Sequence, residues 1–259
     1  MRGPLLVNGG DELQPGNEAQ DRTLVASAAG RPIYLVPTAA VRQDLGALLS
    51  LGQSWFAGLG AEARELPVRR PADARSRELT GLVAGAGAIY LLGGDPGYAV
   101  RVLAGSPVWA AILAAWRRGA GLAGSSAGAM AFGASTLVMA RWPRHLERKP
   151  IPALGLLPGL AVVPHHDQFG HRWQVVGGRS ELELLRLDSR SAAVHQGDRW
   201  QALGAGAVGF RGERFTAGEK IVGLPPPDPE QPAHESADHR AETGSGNDVT
   251  GEVVPQVDP

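Results

Sequence analysis

The chain has 259 residues, and its 25 basic and 26 acidic side chains leave a formal net charge of −1 at pH 7. A near-neutral chain with scattered basic residues lacks the electrostatic footprint of a protein that binds nucleic acid or an anionic membrane, so we expect neither partner. Cysteine is absent, which excludes disulfides, thiolate nucleophiles and cysteine-ligated zinc. Because no signal-peptide pattern or membrane-spanning apolar run is visible, we expect a cytoplasmic protein.

The first half of the chain alternates apolar runs of strand length with helical patterns. Strands are predicted at residues 4–7, 33–37, 64–68 and 88–92, and helices at 18–29, 41–49 and 73–84. Pro67 would cost an interior strand a ladder hydrogen bond, so the third strand is predicted at a sheet edge. This βαβαβα order favours an α/β fold with a parallel sheet covered by helices on both faces.

The second half of the chain carries shorter patterns. Helices are expected at 98–104, 107–118 and 181–187, strands at 136–139 and 160–163, and a hairpin at 192–203. Residues 142–158 are predicted to be a proline-broken connection whose basic residues, Arg144, Arg148 and Lys149, form a solvated face. His195 is expected to be a surface residue of the hairpin.

The end of the chain differs in composition from the rest. From residue 224 onward, proline and acidic residues dominate and aromatic residues disappear. Such a segment cannot bury enough apolar surface to offset its ordering entropy. We therefore predict one α/β domain over residues 1–223 and a disordered tail over residues 224–259.

A glycine-rich stretch from Gly124 to Gly128 joins a buried apolar run to a helical segment. It matches the G-x-S-x-G pattern of a nucleophile elbow, in which the central serine occupies a strained turn between strand and helix. The glycines let strand and helix pass closely, and the helix N-terminus directs backbone amides, notably that of Ala127, at an oxyanion. Ser126 is therefore the candidate nucleophile, and Ser125, which precedes the turn, is the weaker alternative.

Two further strand ends carry candidate site residues. The strand at 88–92 ends in Gly93 and Gly94, and since ligands bind at the carboxyl ends of parallel strands, either amide is a candidate oxyanion donor. A tight turn without a catalytic role is the alternative. A later strand ends in His165, where a general base for Ser126 would lie. A dinucleotide site is not indicated, because no complete G-x-G-x-x-G opens a helix.

Further polar residues follow His165. Together with His166, Asp167 and His171 it is an alternative metal-ligand set. Adjacent residues of an extended segment point to opposite faces and do not easily share one ion, so we predict no metal and no other cofactor. Arg172 is a candidate for pairing with an acidic group of a substrate, although a surface arginine is the commoner case.

Taken together, these residues resemble the serine peptidases of the dipeptidase E and cyanophycinase family, peptidase family S51. The likeness spans roughly residues 3–222, and its most specific part, residues 124–129, matches the family's G-x-S-A-G-A. The resemblance implies a three-layer α/β/α sandwich with a mostly parallel central sheet, similar to class I glutamine amidotransferases and flavodoxin-like folds. The roles it implies are nucleophile for Ser126, general base for His165, and oxyanion hole for the amides of Gly94 and Ala127.

The chain departs from the family pattern at two positions. Asp95 follows the paired glycines as in the family, but Pro96 replaces the polar residue that usually comes next. Many members carry a glutamate, which looks like the third catalytic residue, in a segment similar to G-I-D-E-G-T-A. Residues 186–192 here read R-L-D-S-R-S-A, with Ser189 at the glutamate position. Asp188 could orient the histidine only if the backbone shifts, because neighbours on an extended chain face opposite ways.

Two functions follow as hypotheses. The first is a serine hydrolase of this family that cleaves a peptide or isopeptide bond in a small peptide-like substrate, using Ser126, His165 and Asp188. The second is a catalytically impaired homologue that binds a small ligand or a protein partner, which Ser189 motivates. An unrelated esterase or amidase is a third candidate function. A homodimer is a candidate assembly. The residues expected to contact substrate are Asp95, Asp167, Gln168 and Arg172.

Overall fold

The computed structural model of the protein describes residues 1–177 and 181–228. The strands are β1 (Leu5–Asn8), β2 (Ile33–Val36), β3 (Ala63–Glu65), β4 (Ala88–Leu91), β5 (Gly121–Ser125), β6 (Ser135–Met139), β7 (Glu147–Pro152), β8 (Leu160–Val163), β9 (Gln174–Val175), β10 (Glu183–Leu187), β11 (Ser191–Gln196), β12 (Arg199–Gly204), β13 (Val208–Phe210) and β14 (Glu213–Phe215). The helices are α1 (Glu18–Ala28), α2 (Leu45–Gly58), α3 (Arg77–Ala84), α4 (Pro96–Leu103), α5 (Pro107–Arg117) and α6 (Ala127–Ala131). Short 3₁₀ turns lie at Thr38–Ala40, Asp73–Arg75 and Gly170–Arg172.

A seven-stranded sheet in the order β12-β11-β1-β5-β4-β2-β3 forms the centre of the fold. The strands from β1 to β3 in that order are parallel, whereas β11 and β12 join as an antiparallel hairpin beside β1. Successive residues of a strand face opposite sides. Ile89 and Leu91 of β4 therefore pack with α3 to α6, while Tyr90 packs with α1 and α2. The predicted three-layer α/β/α sandwich of flavodoxin-like type is confirmed.

The sheet brings the candidate site residues to one edge. Because β1, β5 and β4 are parallel neighbours, their carboxyl ends lie side by side. Gly9, Ser126 and Gly93 come directly after or close to these ends. The edge strand predicted around Pro67 is also confirmed, since β3 pairs with β2 at the border of the sheet and ends at Glu65.

The helix predicted at residues 181–187 is wrong, because this segment contains β10. The strand pairs in parallel with β8 inside a second sheet of order β14-β13-β10-β8. Leu185 and Leu187 are fully buried while Arg186 between them is not, which is the period of a strand. The leucines at 182, 184 and 185 imitate a helical spacing, and pairing with β8 overrides it.

The connection predicted at residues 142–158 is likewise incomplete, because it contains β7. This strand joins β6 and β9 in a third sheet that lies beside the carboxyl edge of the main one. Its prolines, Pro150 and Pro152, made a strand look unfavourable. The pairing of β9 covers only Glu147 and Arg148, so the prolines lie where that edge of β7 has no ladder to interrupt.

The hairpin of β11 and β12 forms as predicted, but it is more enclosed. His195 is buried rather than exposed, and its ring meets Trp200 edge-on at 5.0 Å between centroids. Burial lowers the pKa of His195. Trp200 Nε1 also donates to the carbonyl of Pro225 at 2.9 Å, and Leu224 is buried, so the chain stays packed beyond residue 223. The rest of the predicted tail, residues 229–259, lies outside the described residues.

The helices of the described residues have at most 14 residues. None of their helices is by itself long and apolar enough to cross a bilayer. Only α4 and α5 together reach the necessary length and composition, and they meet at 92°. Their apolar residues, such as Val102 and Trp116, are buried in the core.

One carboxyl group is buried between α1 and the sheet, and it makes stability depend on pH. Burial raises the pKa of Asp21 to about 7, although Trp55 Nε1 donates to its Oδ2 at 2.8 Å. The unfolded chain loses this proton near the ordinary value of 3.8. Between these two values the unfolded state binds fewer protons than the folded one, so this group lowers stability as the pH rises.

Replacing Asp21 by asparagine is therefore expected to stabilise the fold at high pH. The free energy of unfolding at pH 8 should rise by roughly 2–4 kcal/mol, because the amide carries no ionisation penalty. The check is urea denaturation of both proteins from pH 4 to pH 8. The difference between them should grow across this range and then level off, and a difference that does not change with pH would contradict the assignment.

Candidate active site

Ser126 occupies the strained turn between β5 and α6. Its backbone has φ 49° and ψ −113°, a conformation that residues with a side chain rarely adopt. Strand and helix pass closely beneath it, because a Cβ on Gly124 would lie 2.7 Å from the carbonyl carbon and oxygen of Gly128. The elbow predicted from the sequence is therefore present in the backbone geometry.

The close packing of the elbow gives a prediction for Gly128→Ala. Alanine normally stabilises a helix interior relative to glycine by up to about 1 kcal/mol. At Gly128, however, a Cβ would lie 2.3 Å from the carbonyl oxygen of Leu91 on β4. We expect this variant to lose about 1–3 kcal/mol in urea denaturation.

Gly81 of α3 is the matched control for that substitution. A Cβ there would meet no atom of the described residues within 4 Å, so Gly81→Ala should gain up to about 1 kcal/mol. Equal effects of the two substitutions would show that the elbow is not closely packed.

His165 lies beside Ser126, the candidate nucleophile. Its Nε2 is 3.2 Å from Ser126 Oγ, within the range expected for a base that accepts the serine proton. The histidine is held by its own amide, which donates to the carbonyl of Gly9 at 2.8 Å, and by Phe169, which stacks on the ring at 5.0 Å. Gly10 allows this position, because a Cβ there would lie 2.2 Å from two ring atoms of the histidine.

Within residues 1–177 and 181–228, no glutamate contacts the other ring nitrogen of His165. Its Nδ1 is 3.0 Å from Ser189 Oγ and 3.6 Å from Asp11 Oδ1. The Asp11 carboxylate is fixed by Gln168, whose Nε2 donates to Oδ2 at 2.9 Å. A hydroxyl therefore contacts the nitrogen directly, and the nearest negative charge comes from the loop after β1.

Asp167 holds Ser189 in its place beside His165. Its Oδ1 accepts a hydrogen bond from the Ser189 amide at 2.8 Å. Burial raises the pKa of Asp167, but hydrogen bonds from the Ser189 amide and hydroxyl outweigh it and hold the pKa below its ordinary value. Asp167 is therefore a carboxylate that positions Ser189.

Asp188 points away from His165. Its Oδ2 accepts hydrogen bonds from the Arg214 guanidinium and, at 3.2 Å, from the amide of Ala207, and its Oδ1 lies 3.8 Å from His166 Nδ1. Burial lowers the pKa of His166. A turn after β10, closed by the Ser191 amide donating to the Asp188 carbonyl at 3.2 Å, places the Ser189 hydroxyl beside His165 while the Asp188 carboxylate faces Arg214.

The side chain of Glu12, which the sequence analysis did not identify as a site residue, binds one of the two candidate oxyanion donors, Gly93, and not the other, Gly94. Gly93 N donates to Glu12 Oε1 at 3.0 Å, and Glu12 Oε2 accepts from Ser125 Oγ at 3.0 Å. Gly94 N makes no hydrogen bond within the part of the chain that the structure describes. Ala127 N begins α6 and has no intrahelical acceptor. Of the amides predicted as oxyanion donors, those of Gly94 and Ala127 therefore have no hydrogen-bond acceptor among the described residues.

A cavity of about 410 Å³ opens beside Ser126. Ser126, His165, Gly94 and Ala127 are among the residues that line it. Its walls are mainly apolar and include Met130, Leu137, Val138, Met139, Phe169 and Trp173. Besides His165, the titratable side chains among the described residues that line it are Asp95 and Arg148.

The residues predicted to contact substrate are placed unequally. Asp95 lines the cavity, caps α4 by accepting from Tyr98 N at 2.9 Å, and lies 3.4 Å from Arg42. Gln168 contacts Asp11 instead of the cavity, and Arg172 is exposed and donates to the carbonyl of Gln168 at 3.4 Å.

Arg148 and Asp11 were missed by sequence reasoning. Arg148 is half-buried and lines the cavity, whereas the basic segment around it predicted a solvated face. Neither residue carries a local signal, since each acquires its place through contacts between distant segments. Among residues 1–177 and 181–228, no group of three or more His, Asp and Glu side chains could hold a metal ion.

Comparisons with known proteins show the family and the fold. The sequence model of peptidase family S51 matches residues 5–200. The fold is similar to that of a peptidase from an acI-B1 actinobacterium, with a TM-score of 0.74 and 28% identity over 85% of this chain and 97% of that one. It is also similar to a peptidase E candidate from Listeria monocytogenes EGD-e, with a TM-score of 0.56 and 14% identity over 79% and 100% of the two chains, which concerns the fold alone.

A comparison with curated proteins finds no match. The family match nevertheless covers most of the chain and includes the elbow and the histidine. The chain therefore belongs to peptidase family S51, a family of peptidases.

Proposed function

We propose that the protein is a serine hydrolase that cleaves a peptide or isopeptide bond through an acyl-enzyme on Ser126. The observation that carries the proposal is the 3.2 Å contact between Ser126 Oγ and His165 Nε2 at the mouth of a cavity. A serine alone is a weak nucleophile, and an adjacent base of this kind activates it. Family membership supports the same reaction class.

The reaction proceeds in two halves. Ser126 Oγ attacks the scissile carbonyl carbon while its proton passes to His165 Nε2, and the amides of Gly94 and Ala127 donate to the resulting oxyanion. The protonated histidine then gives its proton to the leaving amine as the bond to the carbonyl carbon breaks. A water molecule then attacks the carbonyl carbon of the acyl-enzyme while one of its protons passes to the same nitrogen. The bond to Ser126 Oγ breaks, the product leaves as a carboxylic acid, and the histidine returns the proton to Ser126 Oγ.

The hydroxyl of Ser189 orients the imidazole in this scheme. With Nδ1 protonated, it donates to Ser189 Oγ over 3.0 Å, which leaves Nε2 free to accept the serine proton. The charge that stabilises the imidazolium comes from Asp11, whose Oδ1 is 3.6 Å from Nδ1. This arrangement takes the place of the glutamate that many relatives carry.

The test is the rate of labelling by a fluorophosphonate probe. Wild-type protein should label, Ser126→Ala should not, and His165→Ala should label at least about 100-fold more slowly. Ser125→Ala is the matched control, because this hydroxyl faces Glu12 and should not be needed. A folded wild-type protein that resists labelling, or labelling that survives in Ser126→Ala, would refute the proposal.

The absence of a glutamate at residue 189 favours a second candidate, an impaired homologue that uses the cavity only to bind a small ligand or a partner. Loss of an orienting acid can lower turnover by several orders of magnitude without abolishing binding. The same labelling experiment separates the two candidates, since the binding protein would remain unlabelled although folded.

A further inference from the structure

Among the described residues that line the cavity, Arg148 carries a charge that no acidic side chain of the described chain compensates. Its guanidinium lies over the ring of Trp173, 4.3 Å from the centroid, and donates to the carbonyl of His145. Both contacts hold the group in place without neutralising it. Burial lowers the pKa of Arg148, which is the effect expected for a cation that is partly removed from water.

The nearby carboxylates are already paired. Glu147 precedes Arg148 in β7 but lies 2.8 Å from Arg144. Asp95, which also lines the cavity, accepts the Tyr98 amide and lies 3.4 Å from Arg42. Within the described part of the chain, Arg148 has no ion pair with an acidic side chain. A half-buried, oriented guanidinium without a counter-charge is suited to binding a carboxylate that arrives with a ligand.

The rest of the cavity wall is apolar and suits an apolar part of a ligand. Leu137 and Val138 from β6, Met130 from α6, and Phe169 and Trp173 from the segment after β8 form an apolar surface that reaches the nucleophile. Such a wall gains free energy by burying an apolar side chain. The volume of about 410 Å³ is near the lower end of small-molecule sites and fits a short peptide better than a folded protein.

We propose that Arg148 binds a carboxylate of the substrate and that the substrate is a short peptide combining this carboxylate with an apolar side chain next to the scissile bond. The identification of a peptide rests on the proposed function. The carboxylate is either the C-terminus of the peptide or an acidic side chain, and both present the same planar anion to the guanidinium.

Calorimetric titration of Ser126→Ala tests the proposal without requiring turnover. One pair of probes compares Leu-Phe with Leu-Phe amide, and a second compares Asp-Phe amide with Asn-Phe amide. In one pair the carboxylate member should bind about 10–100-fold more tightly than its neutral partner. The pair that shows the preference identifies the source of the carboxylate.

Variants made in the Ser126→Ala background then assign the preference to a residue. Adding Arg148→Gln should reduce it to about 1–3-fold, and adding Arg148→Lys should restore part of it. Arg77→Gln is the matched control, because this exposed arginine of α3 lies outside the cavity and should leave the preference intact. The ratio within a pair is independent of any general distortion of the pocket, since distortion weakens both members.

Three outcomes would overturn the inference: no binding of any of the four peptides, no preference in either pair, or a preference that survives Arg148→Gln. Gly-Gly should bind at least about 10-fold more weakly than Leu-Phe, and equal binding would overturn the apolar part. The fluorophosphonate result is independent of these titrations. A labelled protein without a carboxylate preference would refute only this inference, and an unlabelled protein with one would refute only the proposed reaction.

Discussion

Replacing Ser126 by alanine is expected to lower kcat/KM by at least about 10⁴-fold for any peptide or ester that the wild-type protein hydrolyses. The alanine leaves His165, the oxyanion donors and the cavity in place but removes the atom that forms the acyl bond. Initial rates and the urea midpoint of the same preparation provide the measurement. Full activity in a protein without this hydroxyl would exclude it as the nucleophile.

Ser126→Cys is the companion variant. Since the natural chain contains no cysteine, the new thiol is the only one in the protein and can be alkylated by iodoacetamide without background. A thiol beside a basic imidazole is expected to have a pKa below its ordinary value of about 8.5. The pH at which alkylation reaches half its maximal rate should therefore rise toward that value when His165 is also replaced by alanine. An unchanged midpoint would show that His165 does not act on the side chain at residue 126.

The second large effect is expected for Gly10→Ala, far from the elbow in sequence. The added Cβ would lie 2.2 Å from Cε1 and Nε2 of His165, so the ring must move away from Ser126. Because a displacement of about 1 Å can cost 100-fold and loss of the base costs more, kcat should fall by about 10²–10⁴-fold. The kcat from steady-state kinetics and the rate of fluorophosphonate labelling should fall together.

Gly30→Ala is the matched control for backbone strain. Gly30 has φ +76° and Gly10 has φ +110°, so both substitutions place a side chain in a region that favours glycine. A Cβ on Gly30, however, would meet no atom within 4 Å in the part of the chain that the structure describes. We expect this variant to lose stability but not activity, and an equal loss of activity in both would attribute the Gly10 effect to strain.

The elbow and its histidine could be predicted because local sequence determines them. The small residues around Ser126 are needed for one sharp turn, and a strand before it and a helix after it are visible in the same stretch. His165 follows the last residue of an apolar strand by two positions, which fixes the sheet edge at which it lies. These predictions required no knowledge of contacts between distant segments.

The residues around the second nitrogen of His165 could not be predicted in this way. Asp11 comes within 3.6 Å of it only because the loop after β1 meets the loop after β8. Ser189 faces the ring while Asp188 pairs with Arg214, and this choice depends on which way β10 emerges from the second sheet. The placement of a side chain relative to a distant segment is a tertiary property that spacing does not encode.

The third sheet explains why the wall of the cavity was missed. The prolines of β7 favour an irregular connection by local rules, and pairing with β6 overrides them. In the second sheet, the leucines near β10 favour a helix in the same way, and pairing with β8 overrides them. Arg148 is half-buried because β7 lies beside β6 and β9. Without these strands, the sequence around it resembles an ordinary basic surface.

Trapping of the acyl-enzyme tests the central claim most directly. The protein is mixed with a short-chain p-nitrophenyl ester, quenched in acid within the first turnovers, and analysed by intact mass and peptide mapping. The account predicts a mass increase equal to one acyl group, located on Ser126, absent from Ser126→Ala and unchanged in Ser125→Ala. Nitrophenol release without an adduct, or an adduct on another residue, would contradict it.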